Sequence, residues 1–205
     1  MVLEWLCIAL SISAALASRP WRAVPASGPP WVWLVVWSVL PVLWSADRHG
    51  AASLLQPWSG ASLLVLLADW PLATLALVLV AVALVLLGGF GIDDAAARLV
   101  WLGFVPASLA LVLGAIARRW LPHHLFVYIF ARGFFGTVLA AALAGALALW
   151  RHDAASGLTA GDLLLGRWLA AWGEAIVTGM LVAIFVAFRP HWLATYSDTL
   201  YLPRR

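Results

Sequence analysis

Apolar positions in this chain fall in long runs rather than stripes. A helix resting on a water-soluble core repeats its apolar face about every 3.6 residues, and a half-buried strand alternates at every second residue. Neither period governs here. Seven apolar segments can be read, over roughly 2–17, 31–45, 53–68, 71–88, 98–117, 125–149 and 163–188. In lipid they must be helices, because an open strand edge would leave amides unpaired in hydrocarbon. The first three are short against the ~20 residues needed to cross a bilayer. Ala15-Leu16-Ala17 resembles a signal-peptide cleavage site, but Glu4 precedes the first run and Arg19 and Arg22 follow it. A signal peptide carries its positive charge in front, so the run is read as a retained span.

The polar positions between the runs read as helix ends. Pro20, Pro25, Gly28, Pro29 and Pro30 make a loop. Asp69 and Pro71 suit a tight turn, with the carboxylate capping the next helix and proline in its first turn. Gly88-Gly89-Phe90-Gly91 ends the fourth helix, and Asp93 or Asp94 is expected to cap the fifth. Thr159 and Asp162 have the spacing of a capping box ahead of the last helix, and Pro190 closes it.

Composition turns this pattern into a class. Of 205 residues, 65% are hydrophobic and 10% charged, with a mean hydropathy of +1.00. Ordinary soluble domains are about 45–50% apolar and about 25% charged. The expectation is an all-α polytopic membrane helix bundle of about seven spans, one integral membrane domain over 1–205, solvated by the lipid bilayer. All 12 basic residues are arginine, scattered between the runs. That argues for topology rather than for binding nucleic acid. Arg19, Arg22, Arg118, Arg119, Arg189, Arg204 and Arg205 fall on one side; Arg48, Arg98, Arg151 and Arg167 fall on the other. The richer side should be cytoplasmic, which puts the N-terminus outside, the C-terminus inside, and requires an odd number of spans. Many of the 14 tryptophans sit near run ends, where an indole prefers the headgroup boundary. Trp33, Trp37 and Trp44 share a face of the second helix, facing lipid or packing.

Few residues can carry chemistry. Glu174 lies mid-helix, ~16–21 Å from either end of its span at 1.5 Å per residue. It is too short to reach water, so it must be paired, neutralised, or turned to a polar cavity. Gly166, Ala170, Glu174 and Thr178 recur every fourth residue, and small residues on one face mark close helix contact. Glu174 therefore points inward, as a substrate, proton or gating residue or as a hydrogen-bonding partner of a neighbouring helix. Arg132 shares the small face of the sixth helix with Gly136, Ala140 and Ala144. It could pair with Glu174 or reach back to the interface about 10 Å away. His49 with Asp47, and His152 with Asp153, fall on two loops of one side; imidazole and carboxylate together suit a borderline divalent cation. His123, His124 and His191 read as interfacial. Cys7 is a small apolar residue within its run. Ala9, Ser13 and Ala17 give the first helix a small face suited to a partner helix. There is no phosphate-binding loop, nucleophile elbow, zinc-protease pair, or haem or flavin signature, so neither enzyme activity nor a cofactor is expected.

Two stretches carry a resemblance: Leu121-Pro122-His123-His124-Leu125-Phe126-Val127-Tyr128-Ile129-Phe130 followed by Gly133-Phe134-Phe135-Gly136, and Gly173-Glu174-Ala175-Ile176-Val177-Thr178-Gly179-Met180 running to Arg189-Pro190. Together they resemble a bacterial family of predicted membrane proteins related to the CbiM-like permeases of cobalt/nickel energy-coupling-factor importers, best over about 70–200. The resemblance implies a seven-helix, substrate-specific, permease-like subunit in the inner membrane. It would transport a transition-metal cation and work with a transmembrane coupling subunit and ATPase subunits. Cobalt/nickel members begin Met-His and carry a Ser-Gly-His stretch in an early helix; this chain has Val2, and Ser59-Gly60 followed by Ala61. The rival reading is a non-transporting membrane scaffold or assembly factor.

Overall fold

The computed structural model describes residues 2–24, 28–49, 57–151 and 159–201, without the side chains of Arg22, Ala23 and His49. It is all-helical, and no strand occurs among the described residues. The helices are α1 (Val2–Ala17), α2 (Trp31–His49), α3 (Ala61–Ala68), α4 (Trp70–Leu86), α5 (Ile92–Trp120), α6 (Leu125–Arg151), α7 (Ala160–Phe188) and the short α8 (Asp198–Tyr201). Of these, α5, α6 and α7 are long and apolar enough to cross a membrane, while α1 and α4 are shorter apolar helices.

The local signals explain most helix ends. Asp69 accepts from the Trp70 amide at 2.8 Å, with Pro71 in the first turn of α4. The Thr159–Asp162 capping box opens α7, both reciprocal bonds being present. The fifth helix departs from expectation. It begins at Ile92 rather than near 98, with Gly91 at its cap and no side chain bonding there. Asp94 faces Arg48 instead, at 3.1 Å.

The larger correction concerns the third segment. Its 53–56 portion lies outside the described residues, and 57–60 is not helical; the helix itself is only Ala61–Ala68. Eight residues rise about 12 Å, against a hydrocarbon core of about 30 Å. Every residue of α3 is buried. Such a half-helix can exist in a membrane only if protein groups satisfy the backbone at both of its ends.

The bundle is built around it. The most extensive helix pairing is α6 against α7, followed by α5 against α6. Glycines bring α6 and α7 close: a Cβ on Gly179 would lie 3.3 Å from Phe134, and one on Gly133 would lie 3.2 Å from Val182. One core cluster joins α1, α2, α3, α4 and the first half of α5 around Leu40, Trp44, Leu64, Leu77 and Leu84. A second joins α2, α3, the start of α6, α7 and the chain after α7 around Trp33, Leu67, Tyr128, Val182 and Leu193. The α2 tryptophans pack rather than face lipid: the Trp33, Trp37 and Trp44 indoles donate to the carbonyls of Trp192, Ala76 and Ser59 at 2.7, 2.9 and 2.9 Å. Trp21, Trp31, Trp120 and Trp150 near run ends are exposed, as expected of boundary residues.

An arginine pair ties the end of α2 to α5. Arg98 bonds Asp47 at 2.6 Å and the Trp44 carbonyl, and the guanidinium carbons of Arg48 and Arg98 lie 3.6 and 4.7 Å from the centroid of the Phe90 ring. Arg98 and Asp47 are largely shielded, whereas Arg48 and Asp94 stand mostly in the open. Arg98→Ala should therefore cost about 1–3 kcal/mol of unfolding free energy in detergent, and Arg48→Ala less than about 1 kcal/mol. Equal losses from the two would remove the role assigned to Arg98.

Candidate functional site

The two ends of α3 define the site. At its N-terminal end the chain runs through Trp58, Ser59 and Gly60 against the middle of α7, where Gly173 leaves room for the Trp58 ring, 3.8 Å from the position its Cβ would take. The first amides of a helix have no intrahelical acceptor. Here Glu174 supplies it. Its two carboxylate oxygens accept from the Ser59 amide at 2.9 Å and the Gly60 amide at 3.0 Å. The Ser59 hydroxyl accepts from the Ala61 amide at 3.1 Å and donates to the Leu102 carbonyl at 2.7 Å. Leu102 lies in the π-helical stretch Leu99–Phe104 of α5, where the wider turn disrupts the regular bonding ladder. Glu174 is 4% exposed and Ser59 1%. A negative group at a helix N-terminus also meets the positive end of the helix dipole.

Geometry at Gly60 makes the arrangement possible. Its φ of 65° lies in the left-handed region, and a Cβ there would sit 2.3 Å from the Leu40 Cδ2. Both conditions call for glycine.

At its C-terminal end α3 is closed by the chain beyond α7. Residues 189–201 fold back as a strap. The Ala194 amide donates to the Leu67 carbonyl at 2.9 Å, and the Thr195 amide and hydroxyl donate to the Leu66 carbonyl at 3.4 and 3.1 Å. Thr195 is held in turn by the Tyr128 hydroxyl at 2.8 Å and by Arg132, which donates to its carbonyl at 3.2 Å. Burial, and then the Asp198 carboxylate, push the Tyr196 phenol in this strap up to about 12, so it stays neutral at physiological pH.

Glu174 is thus in the interior, at the centre of α7, about 21 Å from each end. The buried face of α7 runs through Ala171, Glu174, Ala175, Thr178, Gly179 and Val182; Gly166 and Ala170 are only partly buried, so the expected four-residue face drifts away from them. Thr178 is 2% exposed, one turn beyond Glu174. Arg132 does not pair with Glu174. Its partner is Thr195, and its guanidinium lies over the Gly114 position of α5, where a Cβ would come within 2.8 Å of Nε. Asp47 is engaged by Arg98. The His49 side chain, His152 and Asp153 lie outside the described residues, and among the described residues no three His, Cys, Asp or Glu side chains converge on a metal position. Ser59 and Gly60 were singled out in the sequence only for the stretch they resemble; nothing local says that their amides face Glu174, more than 110 residues away.

Residues 58–192 match the protein family described as the cobalt uptake substrate-specific transmembrane region (CbiM). No curated protein and no solved structure matches the chain. The matched stretch takes in Trp58, Ser59, α3, Arg132, Glu174 and Thr178, but not Leu40 or the strap residues Ala194 and Thr195.

Proposed function

The chain belongs to the family of cobalt-uptake substrate-specific transmembrane regions, and from that premise we propose that it is the substrate-specific subunit of an energy-coupling-factor type importer. The substrate is proposed to be a transition-metal cation of the cobalt/nickel class. A separate transmembrane coupling subunit and ATPases would supply the energy, since the chain has no nucleotide-binding motif. The chain is a multi-pass membrane protein; its placement in the inner membrane with seven passes, N-terminus outside and C-terminus inside, follows the arginine bias. The role is transport rather than catalysis.

The observation that carries this reading is the interrupted third segment. In membrane transporters, a discontinuous helix whose terminus lies inside the bundle marks the place where substrate is handled, and the acid opposite it is a functional candidate. Here that place is the start of α3, beside Glu174 and Thr178 on α7, while Arg132 stands against the strap at the other end of α3. Ala61, completely buried, follows Ser59-Gly60 and offers no lone pair where cobalt/nickel relatives carry histidine. Ligation of the metal would then rest on other groups, which widens the cations worth testing.

Uptake of cobalt, nickel, copper and zinc by cells with and without the gene tests the proposal. A gene-dependent rise in one metal, lost in Glu174→Gln, is the expected result. No change for any metal, together with co-purification of an unrelated membrane complex in mild detergent, would favour the scaffold reading.

A further inference from the structure

A second feature, separate from the centre of α7, lies at the end of α5 that carries Arg118 and Arg119. A cleft of about 330 Å³ opens between the last turns of α5, the first turns of α6 and the strap. Its wall includes Arg118, Arg132, Gly114, Asp69, Thr195 and Ser197. Two guanidinium groups therefore share one concave surface with hydroxyl groups. Neither is in an ion pair among the described residues, where Arg48–Asp94 and Arg98–Asp47 are the pairs formed. Arg132 makes a single hydrogen bond, to the Thr195 carbonyl, and its buried Nε has no partner. The one carboxylate on the wall, Asp69, has Oδ1 committed to the Trp70 amide.

An arginine partly withdrawn from water keeps most of the cost of its charge unless an anion is brought to it. Planar guanidinium groups match the tetrahedral oxygens of phosphate with several directed donors at once. The exposed Trp120 and Arg119 at the end of α5 are residues of the kind found at the headgroup boundary. We infer that this cleft binds a phosphate group, held between Arg118 and Arg132 with the hydroxyl of Ser197 as a further donor. The phosphate can belong to an anionic lipid headgroup or be free in solution. Because Arg132 also holds the strap through Thr195, an occupied cleft and a closed α3 C-terminus share one side chain.

The test uses the purified full chain in mild detergent. Its melting temperature is followed while short-chain phosphatidylglycerol, short-chain phosphatidylcholine or inorganic phosphate is added. A shift with phosphatidylglycerol but not with phosphate identifies a lipid headgroup; a shift with both identifies the phosphate itself. In either case Arg118→Gln should weaken the apparent affinity about tenfold, the loss of one charge-assisted contact. Arg118 is exposed and holds no helix in place, so this variant should fold; Arg132→Gln gives a second reading where it folds. Equal shifts with phosphatidylglycerol and phosphatidylcholine but none with inorganic phosphate, no shift with any probe, or an undiminished shift in Arg118→Gln would overturn the inference. Because binding is measured directly, the result does not depend on whether the chain transports a metal.

Discussion

Glu174→Ala is expected to be the most damaging single substitution in the bundle. It leaves the buried Ser59 amide and the partly buried Gly60 amide without their acceptor. An orphaned buried donor costs about 1–3 kcal/mol, and here there are two. Glu174→Gln keeps one acceptor oxygen but turns an amide NH2 toward one of the two N–H groups, so it should lose about half as much. Unfolding followed by circular dichroism in detergent at fixed detergent concentration gives the ranking: wild type above Gln, Gln above Ala. If all three unfold together, the carboxylate does not hold the start of α3. A transport defect in Glu174→Gln with near-normal expression and melting would separate a role in handling substrate from one in holding the helix.

The burial of Glu174 could be read from the sequence because it depends on position alone: an acid in the middle of a long apolar run has no route to water. The Asp69 turn and the Thr159–Asp162 box were legible for a similar reason, since a cap is chemistry between near neighbours. What Glu174 binds was not legible. Residues 61–68 are nearly all apolar, as in a full span, because a half-helix buried on every side needs apolar residues as much as a lipid-facing one does. The difference lies in the backbone at Ser59 and Gly60, and the partner comes from the last long helix. Arg132 shows the same limit. Depth along α6 allowed either an ion pair or a reach to the interface, and the strap that receives it is a short mixed stretch of polar and buried apolar residues with no periodic signal. The π-helical stretches of α5 and α6 were invisible as well, since one extra residue per turn leaves an apolar run looking unchanged. The metal expectation at Asp47 and His49 fails to gain support for a different reason: Asp47 has a nearer cation in Arg98, which the sequence places 51 residues away.

A substitution at Gly60 tests whether the shape of this junction matters as much as its charge. In Gly60→Ala the new methyl meets the buried Leu40 Cδ2, 2.3 Å from its ideal position, and the residue must keep a φ of 65°. The left-handed conformation costs about 1–2 kcal/mol for a residue with a Cβ, and overpacking at a filled site adds about 1–3 kcal/mol. The two parts can be separated. Leu40→Val removes the Cδ2 atom, so in that background Gly60→Ala should retain only the conformational part. The double-mutant cycle should therefore show coupling equal to the overpacking part, about 1–3 kcal/mol in detergent unfolding. Simple additivity would mean that α3 shifts to make room, and that the approach of α2 to the Glu174 junction is not what selects glycine. Strong coupling would place Leu40 of α2 and Gly60 before α3 in one rigid unit, so that the residue whose amide Glu174 holds is also fixed by α2.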